Sequence, residues 1–288
     1  MNRILIEIKN DSTTVKNVDP AEETVQKTVL EYSILQGPVF RTIDPEGVER
    51  LKNDLVAGPG YTSLTNSMIY LIFPQSLFHT MTLPRKPELT KIQQYNEHKF
   101  ETSLIFPYLD ENSFSLDVQP VTASGFDSPD LDMVTIIDNE ILGFAADIKK
   151  FAGSPGVKII IPFLSLKQFI LKNFSEDLPA ILLHISGNTI VLASLKGREI
   201  ASVYSTNFID IPSIPDIIDS FLLNNTTGRI DRNMIHTVYF SLEDYMVGLS
   251  TLVEKWMNIK TSDNFKGLPL GKVSKIPPDL LAEIRNEA

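Results

Sequence analysis

The sequence predicts an α/β protein with two lobes, and three observations lead to this class. The apolar run at residues 4–8 is echoed at residues 181–185, and each run leads through a polar turn into a second apolar stretch. Each run therefore indicates a buried strand that opens a hairpin. Segments typical of strands and helices alternate along the chain, and 288 residues can bury one large core or two lobes. Two such hairpins favour a two-lobed fold of the kind that holds a nucleotide between phosphate-binding turns.

The composition excludes several classes of function. Hydrophobic residues make up 43% of the chain and charged residues 22%, as in ordinary globular proteins. The formal net charge of −10 gives no general attraction to nucleic acid, so we expect no nucleic-acid partner. With no cysteine, the chain has no disulfide, thiolate zinc site or cysteine nucleophile. Because the start lacks the apolar region of a signal peptide and no apolar stretch approaches roughly 18 residues, we expect a cytosolic chain.

Apolar periodicity, interrupted by proline and glycine, predicts the order of the elements. Short apolar runs or strict alternation predict strands, besides the two hairpins, at residues 29–40 (a pair), 68–73, 78–83, 114–121, 133–137, 157–161 and 237–240. Apolar side chains three and four residues apart predict helices at residues 44–55, 87–107, 139–151, 164–174, 214–223 and 246–257. The polar residues 122–132 predict a surface loop, and a short apolar turn follows Pro277-Pro278.

Four short motifs follow one another in the first half of the chain: Leu83-Pro84 at the end of a strand, Glu88 and Glu97 on a helix, Phe106-Pro107, and Asp117-Val118-Gln119. This order resembles the type IV pilus assembly protein PilM and its relative GspL. In that family a strand ending in Leu-Pro precedes an acidic helix, an Ile-Pro-Phe turn and a strand with Asp-Tyr-Gln. In this chain Phe106 and Pro107 stand in the reversed order. The resemblance covers most of residues 1–260, by order and spacing more than by identity.

The resemblance implies an actin-like fold, in which two ribonuclease-H-like lobes carry a small inserted subdomain. On this chain the first lobe would span residues 1–178 with the subdomain at about 83–161, and the second lobe residues 179–275. Residues 276–288 would form a tail or a linker. The resemblance also implies a location on the cytoplasmic side of the bacterial inner membrane, peripheral to it or tethered there. There the family links membrane components to a motor ATPase.

The first phosphate-binding turn differs from the family's pattern. In nucleotide-binding members it has the sequence Asp-Ile-Gly-Ser-Ser, because glycine lets backbone amides approach phosphate and aspartate organises the metal. The resemblance aligns Glu7, Lys9 and Asn10 with this turn. Glu7 keeps a carboxylate, whereas Lys9 replaces the glycine. Lys9 either ends a strand as a solvated side chain or neutralises a phosphate.

The second turn, Asp-Ile-Gly-Gly-Gly-Thr in nucleotide-binding members, is also changed. His184 replaces the carboxylate and Ser186 the first glycine, while Gly187 and Thr189 keep the pattern. A histidine that alternates within an apolar strand is typical of a structural side chain. The family's Gly-Gly on the adenosine side would fall at residues 240–243, which contain no glycine. We therefore expect a cleft that binds nucleotide weakly or not at all.

Other catalytic patterns are absent from the sequence. The segment at residues 267–272 has a P-loop's glycines and lysine but is one residue too short and contains proline. The four histidines have no metal-ligand spacing, so we expect no metal site. Glu97 and Glu101 lie one helical turn apart, which is more typical of a solvated helix face than of a catalytic pair. The sequence therefore predicts no enzyme.

We expect a non-catalytic scaffold of the inner-membrane platform of a type IV pilus or type II secretion system, without a cofactor. Its expected partners are a motor ATPase, whose basic patch the acidic surface would suit, and inner-membrane platform proteins; a homodimer is left open. The main alternative is a genuine actin-like pilus assembly protein that binds ATP with Mg²⁺, and another is an unrelated α/β enzyme.

The predicted partner site follows from the resemblance. The family receives a peptide of a membrane partner in a groove between the first lobe and the subdomain. The residues that would line this groove are Phe78, Met81, Leu83, Ile92, Tyr95 and Phe100. The aromatic side chains at 95, 100, 106 and 108 serve either as partner anchors or as core residues.

Overall fold

A computed structural model of the chain describes residues 2–18, 25–37, 42–57, 64–121, 130–166, 180–196, 199–224, 237–242 and 272–275. Their contacts divide the chain into two compact units. The described part of the first unit comes from Met1–Leu77 and Ile137–Ser165, and that of the second from Phe78–Ile136 and Leu166–Asp279.

Strands and helices alternate along the described residues, as the periodicity predicts. The strands are β1 (Asn2–Ile8), β2 (Thr13–Val18), β3 (Val25–Leu30), β4 (Leu35–Gln36), β5 (Thr42–Ile43), β6 (Ser67–Ile72), β7 (His79–Pro84), β8 (Phe114–Val121), β9 (Leu131–Asp138), β10 (Gly156–Ile160), β11 (Ala180–Ser186), β12 (Thr189–Lys196), β13 (Glu199–Asn207), β14 (Thr237–Leu242) and β15 (Lys272–Lys275). The helices are α1 (Pro45–Ala57), α2 (Lys91–Ile105), α3 (Asn139–Ala152) and α4 (Ile214–Asn224).

The first unit is built on a five-stranded sheet in the order β10-β6-β1-β2-β3. The strands β1, β2 and β3 form an antiparallel meander, whereas β6 is parallel to β1 and β10 is parallel to β6. The side chains of Ile4, Leu5, Ile6 and Ile8 on the central strand β1 are all buried. A strand buried on both faces needs apolar residues at successive positions, which accounts for the successive apolar residues at 4–6.

The second unit contains a five-stranded sheet in the order β13-β12-β11-β14-β15. Again the first three strands in sequence, β11, β12 and β13, form an antiparallel meander. The fourth strand, β14, is parallel to the first, and the fifth, β15, is parallel to the fourth. Both sheets therefore have the same strand order, and the echoed apolar runs are their equivalent central strands β1 and β11.

The second unit also contains a smaller sheet in the order β7-β9-β8. One face packs as a cluster of Met81, Leu83, Phe114, Val134 and Ile136, with Phe106 partly buried against it. Helix α2 begins after the N-cap residue Thr90 in a capping box with Gln93. This reciprocal pair satisfies backbone donors that the first helical turn leaves free.

The extent of the small subdomain differs from the predicted residues 83–161. Strand β10 pairs with β6 in the first sheet, and α3 packs on that unit through an edge-to-face contact of Phe144 with Phe73, at 5.9 Å between ring centroids. Ile137–Ser165 therefore belongs to the first unit, whereas Phe78–Ile136 belongs to the second. The apolar residues of β10 predict a buried strand, but they do not indicate which sheet the strand joins. Sequence periodicity therefore does not determine whether β10 belongs to the first sheet or to the small subdomain.

Within the described ranges, none of the helices combines the length and the apolar character that a bilayer crossing requires.

Candidate functional site

The first candidate turn connects β1 to β2 and is closed by its own backbone. The backbone N–H of Lys9 donates a hydrogen bond to the carbonyl oxygen of Ser12 at 2.8 Å. The hydroxyl of Ser33 donates to the carbonyl oxygen of Lys9 at 2.6 Å. Both backbone groups of Lys9 are therefore engaged within the protein. The amide that a glycine at this position would present to a phosphate is already used.

The carboxylate of Glu7 lies between two lysine side chains. Its Oε2 lies 2.9 Å from Nζ of Lys16, and its Oε1 lies 3.5 Å from Nζ of Lys9. Glu7 and Lys16 are half-buried, whereas Lys9 is largely exposed. Burial raises the pKa of Glu7, but the hydrogen bonds and positive charges of Lys16 and Lys9 hold it below the ordinary value. Glu7 is therefore ionised and its charge is neutralised locally.

The second candidate turn is a tight hairpin between β11 and β12. Ser186 and Thr189 form its closing pair, and Gly187 between them has the left-handed φ of 56° that favours glycine. The Thr189 hydroxyl donates to Oδ1 of Asn207 at 2.8 Å, and the Asn188 carbonyl accepts from the N–H of Phe208 at 2.8 Å. Gly187 thus serves the turn geometry, and Thr189 contacts the neighbouring strand β13.

His184 is a core residue of the second sheet. It is fully buried in the middle strand β11, opposite Val191 of β12 and Ser241 of β14. The adjacent Ser186 is also buried. This position agrees with the structural role that alternation within an apolar strand predicts.

Three of the predicted partner-binding residues lie in the core. Phe78, Met81 and Leu83 are buried, and Met81 and Leu83 belong to the cluster under the small sheet. Their side chains are occupied by packing within the protein. Alternating apolar residues on a strand indicate a buried face, but the sequence alone does not distinguish burial in a core from burial by a partner.

The other three predicted partner residues lie on α2 and differ among themselves. Ile92 is 76% exposed and Phe100 is 54% exposed. Tyr95 is half-buried, and its hydroxyl accepts a hydrogen bond from the backbone N–H of Leu116 at 3.2 Å. Ile92 and Phe100 are thus accessible, whereas Tyr95 ties α2 to β8. Partner contact by these residues stays a prediction.

Helix α2 directs polar side chains inward and apolar ones outward. Gln94, His98 and Thr102, spaced one turn apart, are buried against the small sheet. Leu104, on the other side, is exposed like Ile92 and Phe100. This orientation is the reverse of the usual amphipathic helix. The sequence signal for this orientation is the four-residue spacing of Gln94, His98 and Thr102. The apolar residues of the same segment predicted the opposite side of the helix as the buried one.

A buried polar network holds the inner side of α2. Asp132 on β9 accepts hydrogen bonds from Arg85, whose Nε lies 2.8 Å from Oδ1, and its Oδ2 lies 2.9 Å from Nε2 of His98. Gln94 Nε2 lies 3.0 Å from the same histidine nitrogen, and its Oε1 accepts from the backbone N–H of Lys86 at 2.9 Å. Sequence reasoning missed this network, since its members come from distant, individually unremarkable positions.

The charge of Asp132 is stabilised despite burial. Burial raises the pKa of this carboxyl, but hydrogen bonds and positive charge from Arg85 and His98 lower it by more, so that it lies below the ordinary value. The network therefore keeps a buried carboxylate ionised between β7, β9 and α2. Such an arrangement is suited to orienting a helix.

Comparison with known proteins gives likenesses in structure only. No protein-family model and no curated protein sequence matches the chain. A Bacteroides thetaiotaomicron protein with an actin-like ATPase fold and unknown function is similar at 10% identity, with a TM-score of 0.55 over 96% of this chain and 90% of that one. A PilM–PilN type IV pilus biogenesis complex is similar at 13% identity, with a TM-score of 0.57 over 96% and 88%.

The chain is also similar to the cytoplasmic domain of EpsL, an inner-membrane component of the type II secretion system of Vibrio cholerae. It is 10% identical, with a TM-score of 0.48 over 100% of this chain and 94% of that one. The likenesses above 0.5 confirm the predicted actin-like fold, and they confirm the resemblance to PilM at the level of the fold. The two five-stranded sheets have the same strand order, as expected for two lobes with the same topology.

Proposed function

We propose that this protein is a non-catalytic scaffold of the inner-membrane platform of a type IV pilus or type II secretion system. It works at the cytoplasmic face of the membrane and connects membrane components to a motor ATPase. The proposal is supported by the motif order of the sequence and by the fold likeness to PilM, which was solved in a type IV pilus biogenesis complex with PilN. Fold alone does not determine function, so the proposal depends on the sites.

The observation that carries the proposal is the environment of Glu7. A carboxylate that organises Mg²⁺ beside ATP must face the ion, whereas this one already pairs with Lys16 at 2.9 Å and Lys9 at 3.5 Å. The N–H of Lys9 donates to Ser12 and is therefore not directed at a phosphate. The paired charge of Glu7 and the internally bonded N–H of Lys9 support a turn that does not hold Mg·ATP.

The second turn supports the same proposal independently. His184, which stands where nucleotide-binding members have a carboxylate, is buried in the sheet. The hydroxyl of Thr189 donates to Asn207, a residue of the same unit. Of the two residues that keep the family's pattern, Gly187 is explained by its left-handed backbone and Thr189 by this hydrogen bond.

Titration with Mg·ATP, followed by calorimetry and by thermal unfolding, tests the absence of a cofactor. We expect no heat of binding and no rise in Tm at millimolar nucleotide. A ligand at 100 times its Kd stabilises the folded state by about 2.7 kcal/mol, so micromolar binding would be plain in either experiment. The Lys9→Gly variant provides a matched comparison, since it restores the glycine of the nucleotide-binding pattern. Micromolar binding by the natural chain would refute the cofactor-free scaffold.

The partner half of the proposal needs a separate experiment. The purified chain is mixed with the inner-membrane and motor ATPase components encoded in the same genetic neighbourhood, and complexes are measured by size-exclusion chromatography with light scattering. We expect stoichiometric complexes with at least one platform component and with the ATPase. The same run reports whether the free chain is a monomer or a dimer. Absence of every such complex would defeat the scaffold function.

The second candidate is an ATP-binding actin-like pilus assembly protein. Two observations favour it: Glu7 keeps an ionised carboxylate at the first turn, and Gly187 keeps a left-handed backbone at the second. For this function Lys9 would have to leave Glu7 and neutralise a phosphate. Saturable Mg·ATP binding that is lost in the Glu7→Gln variant would establish this candidate.

A further inference from the structure

The outward side of α2 carries a row of exposed apolar residues. Ile92, Phe100 and Leu104 are 76%, 54% and 65% exposed, and their spacing of eight and four residues aligns them along one side of the helix. Ile105 and Tyr108, at and just beyond the C-terminal end, are exposed too. We name Ile92, Phe100 and Leu104 the α2 outer face. The row from Ile92 to Leu104 is about 18 Å long at about 1.5 Å per residue.

The exposure of the α2 outer face is enforced by the polar network on the opposite side. Asp132 is buried and ionised, His98 of α2 contacts its carboxylate, and Gln94 of α2 contacts His98. Rotating α2 to bury its apolar row would remove these contacts and leave Oδ2 of the charged carboxylate without His98, its partner on the helix. The fold thus leaves apolar side chains exposed to water, which is unfavourable in free energy. An exposed apolar patch of this kind is typical of a surface that a partner covers.

Charge at one end of the α2 outer face limits the chemistry of that partner. The carboxylate of Glu111 lies at the hydroxyl of Ser103, 3.1 Å from its Oγ, and Ser103 directly precedes Leu104. Asp110 is exposed beside it. The C-terminal end of a helix also carries partial negative charge from its unpaired carbonyl groups. A partner that packs on Phe100 and Leu104 therefore meets negative potential, which attracts lysine or arginine and repels an anionic membrane.

We infer that the α2 outer face binds an amphipathic α-helix of another protein, with apolar side chains against Ile92, Phe100 and Leu104 and basic side chains against Asp110 and Glu111. A helix suits a row of side chains at spacings of eight and four residues on one side of α2, because ridges of one helix pack into grooves of the other. The inference rests on the proposed scaffold function and adds to it the class of segment that this surface receives.

Two synthetic helical peptides test this inference on the full chain. Both have the same leucine face, and the flanking positions are lysine in one and glutamate in the other. Binding of fluorescently labelled peptide is followed by anisotropy. We expect the lysine peptide to bind more tightly than the glutamate peptide by about fivefold, which corresponds to one or two exposed charge pairs. Added salt should reduce this difference.

Variants distinguish the α2 outer face from other apolar surface. The Phe100→Ser/Leu104→Ser double variant should weaken the lysine peptide by about tenfold or more, as expected for central apolar contacts. The Glu111→Lys variant should remove most of the preference for lysine. The Val56→Ser variant is the control, since Val56 is 70% exposed on α1 of the other unit. It should bind the peptide like the natural chain.

Several outcomes would overturn the inference. These are no binding of either peptide, equal binding of both, or unchanged binding by the double variant. Two further measurements address other occupants. Co-sedimentation with anionic lipid vesicles that the double variant loses would identify a membrane instead, and self-association that it loses would identify a second copy. Peptide binding is measured without nucleotide and without pilus or secretion components. Failure of the inference and failure of the scaffold function are therefore distinguished, because the first is a loss of peptide binding and the second an absence of complexes with platform components.

Discussion

Nε2 of His98 lies 2.9 Å from Oδ2 of Asp132, and both side chains are buried between α2 and the small sheet. The two residues are 34 positions apart, on a helix and on a strand. Arg85 binds the other carboxylate oxygen from the end of β7. One buried carboxylate thus joins three elements and sets the rotation of the helix that carries the exposed apolar row.

The first prediction concerns loss of this carboxylate. Asp132→Ala should lower the free energy of unfolding by about 2–4 kcal/mol, because it leaves His98 buried without its acceptor and Arg85 without its ion-pair partner. Arg85 is partly exposed, which keeps the loss below that of a fully buried pair. Urea unfolding measures the change. Asp130→Asn, two residues earlier at an exposed position, should change stability by less than about 0.5 kcal/mol. Equal effects of the two variants would contradict the network's role.

The second prediction is a loss of stability in acid. The pKa of Asp132 and that of Glu7 lie below their ordinary values of 3.8 and 4.5 in the folded protein. The unfolded chain therefore takes up protons first as the pH falls. The stabilisation is complete above about pH 5 and is lost progressively as the pH falls through the ordinary values and then the folded ones. Urea midpoints between pH 7 and pH 3 should decline less steeply for Asp132→Asn than for the natural chain. Parallel curves would refute the assignment.

The third prediction separates the two lysines at Glu7. A double-mutant cycle with Glu7→Gln and Lys16→Met should give a coupling energy of about 1 kcal/mol, since both side chains are half-buried and 2.9 Å apart. The matched cycle with Lys9→Met should give less than about 0.5 kcal/mol, because Lys9 is more exposed and 3.5 Å away. Chemical denaturation measures all variants. A larger coupling to Lys9 than to Lys16 would reverse the described geometry.

The fourth prediction compares two glycines of the same helical segment. Gly153 ends α3 with a φ of 58°, and an added Cβ would lie 3.2 Å from Cγ2 of Thr65. Gly153→Ala should therefore destabilise the protein by about 1 kcal/mol or more. Gly143 lies inside the same helix with open space around it, so Gly143→Ala should stabilise by about 0.5–1 kcal/mol. Shifts of Tm in opposite directions check the pair, and shifts of one sign would count against the helix boundary.

Much of the fold followed from local patterns. The apolar runs at residues 4–8 and 181–185 predicted the central strands β1 and β11, because a strand buried on both faces cannot alternate. The pair of strands predicted at residues 29–40 differs from the structure, in which β3 ends at Leu30 and only the short β4 follows in the described part of that segment. Apolar residues next to glycine and proline leave strand ends ambiguous. The helix predicted at residues 246–257 lies outside the described residues.

The candidate site was less predictable than the fold. The replacement of glycine by Lys9 and of a carboxylate by His184 was visible in the sequence, but the double ion pair of Glu7 was not. Lys16 lies on the neighbouring strand β2, and its approach to Glu7 depends on the pairing of β1 with β2. Side-chain contacts across strands are set by the register of strand pairing, which a single sequence does not specify.

By itself the sequence determined the alternation of elements, the two equivalent central strands and the altered residues of both turns, because apolar periodicity and residue chemistry are local properties of the chain. Only the tertiary structure decided that β10 joins the first sheet, and that α2 turns Gln94 and His98 inward and Phe100 outward. We attribute that rotation to one buried charge. Leaving the carboxylate of Asp132 without hydrogen-bonding partners costs more free energy than leaving the side chains of Phe100 and Leu104 exposed to water. These two free-energy terms depend on contacts between segments that are distant in the sequence, so a local pattern does not predict which one is larger.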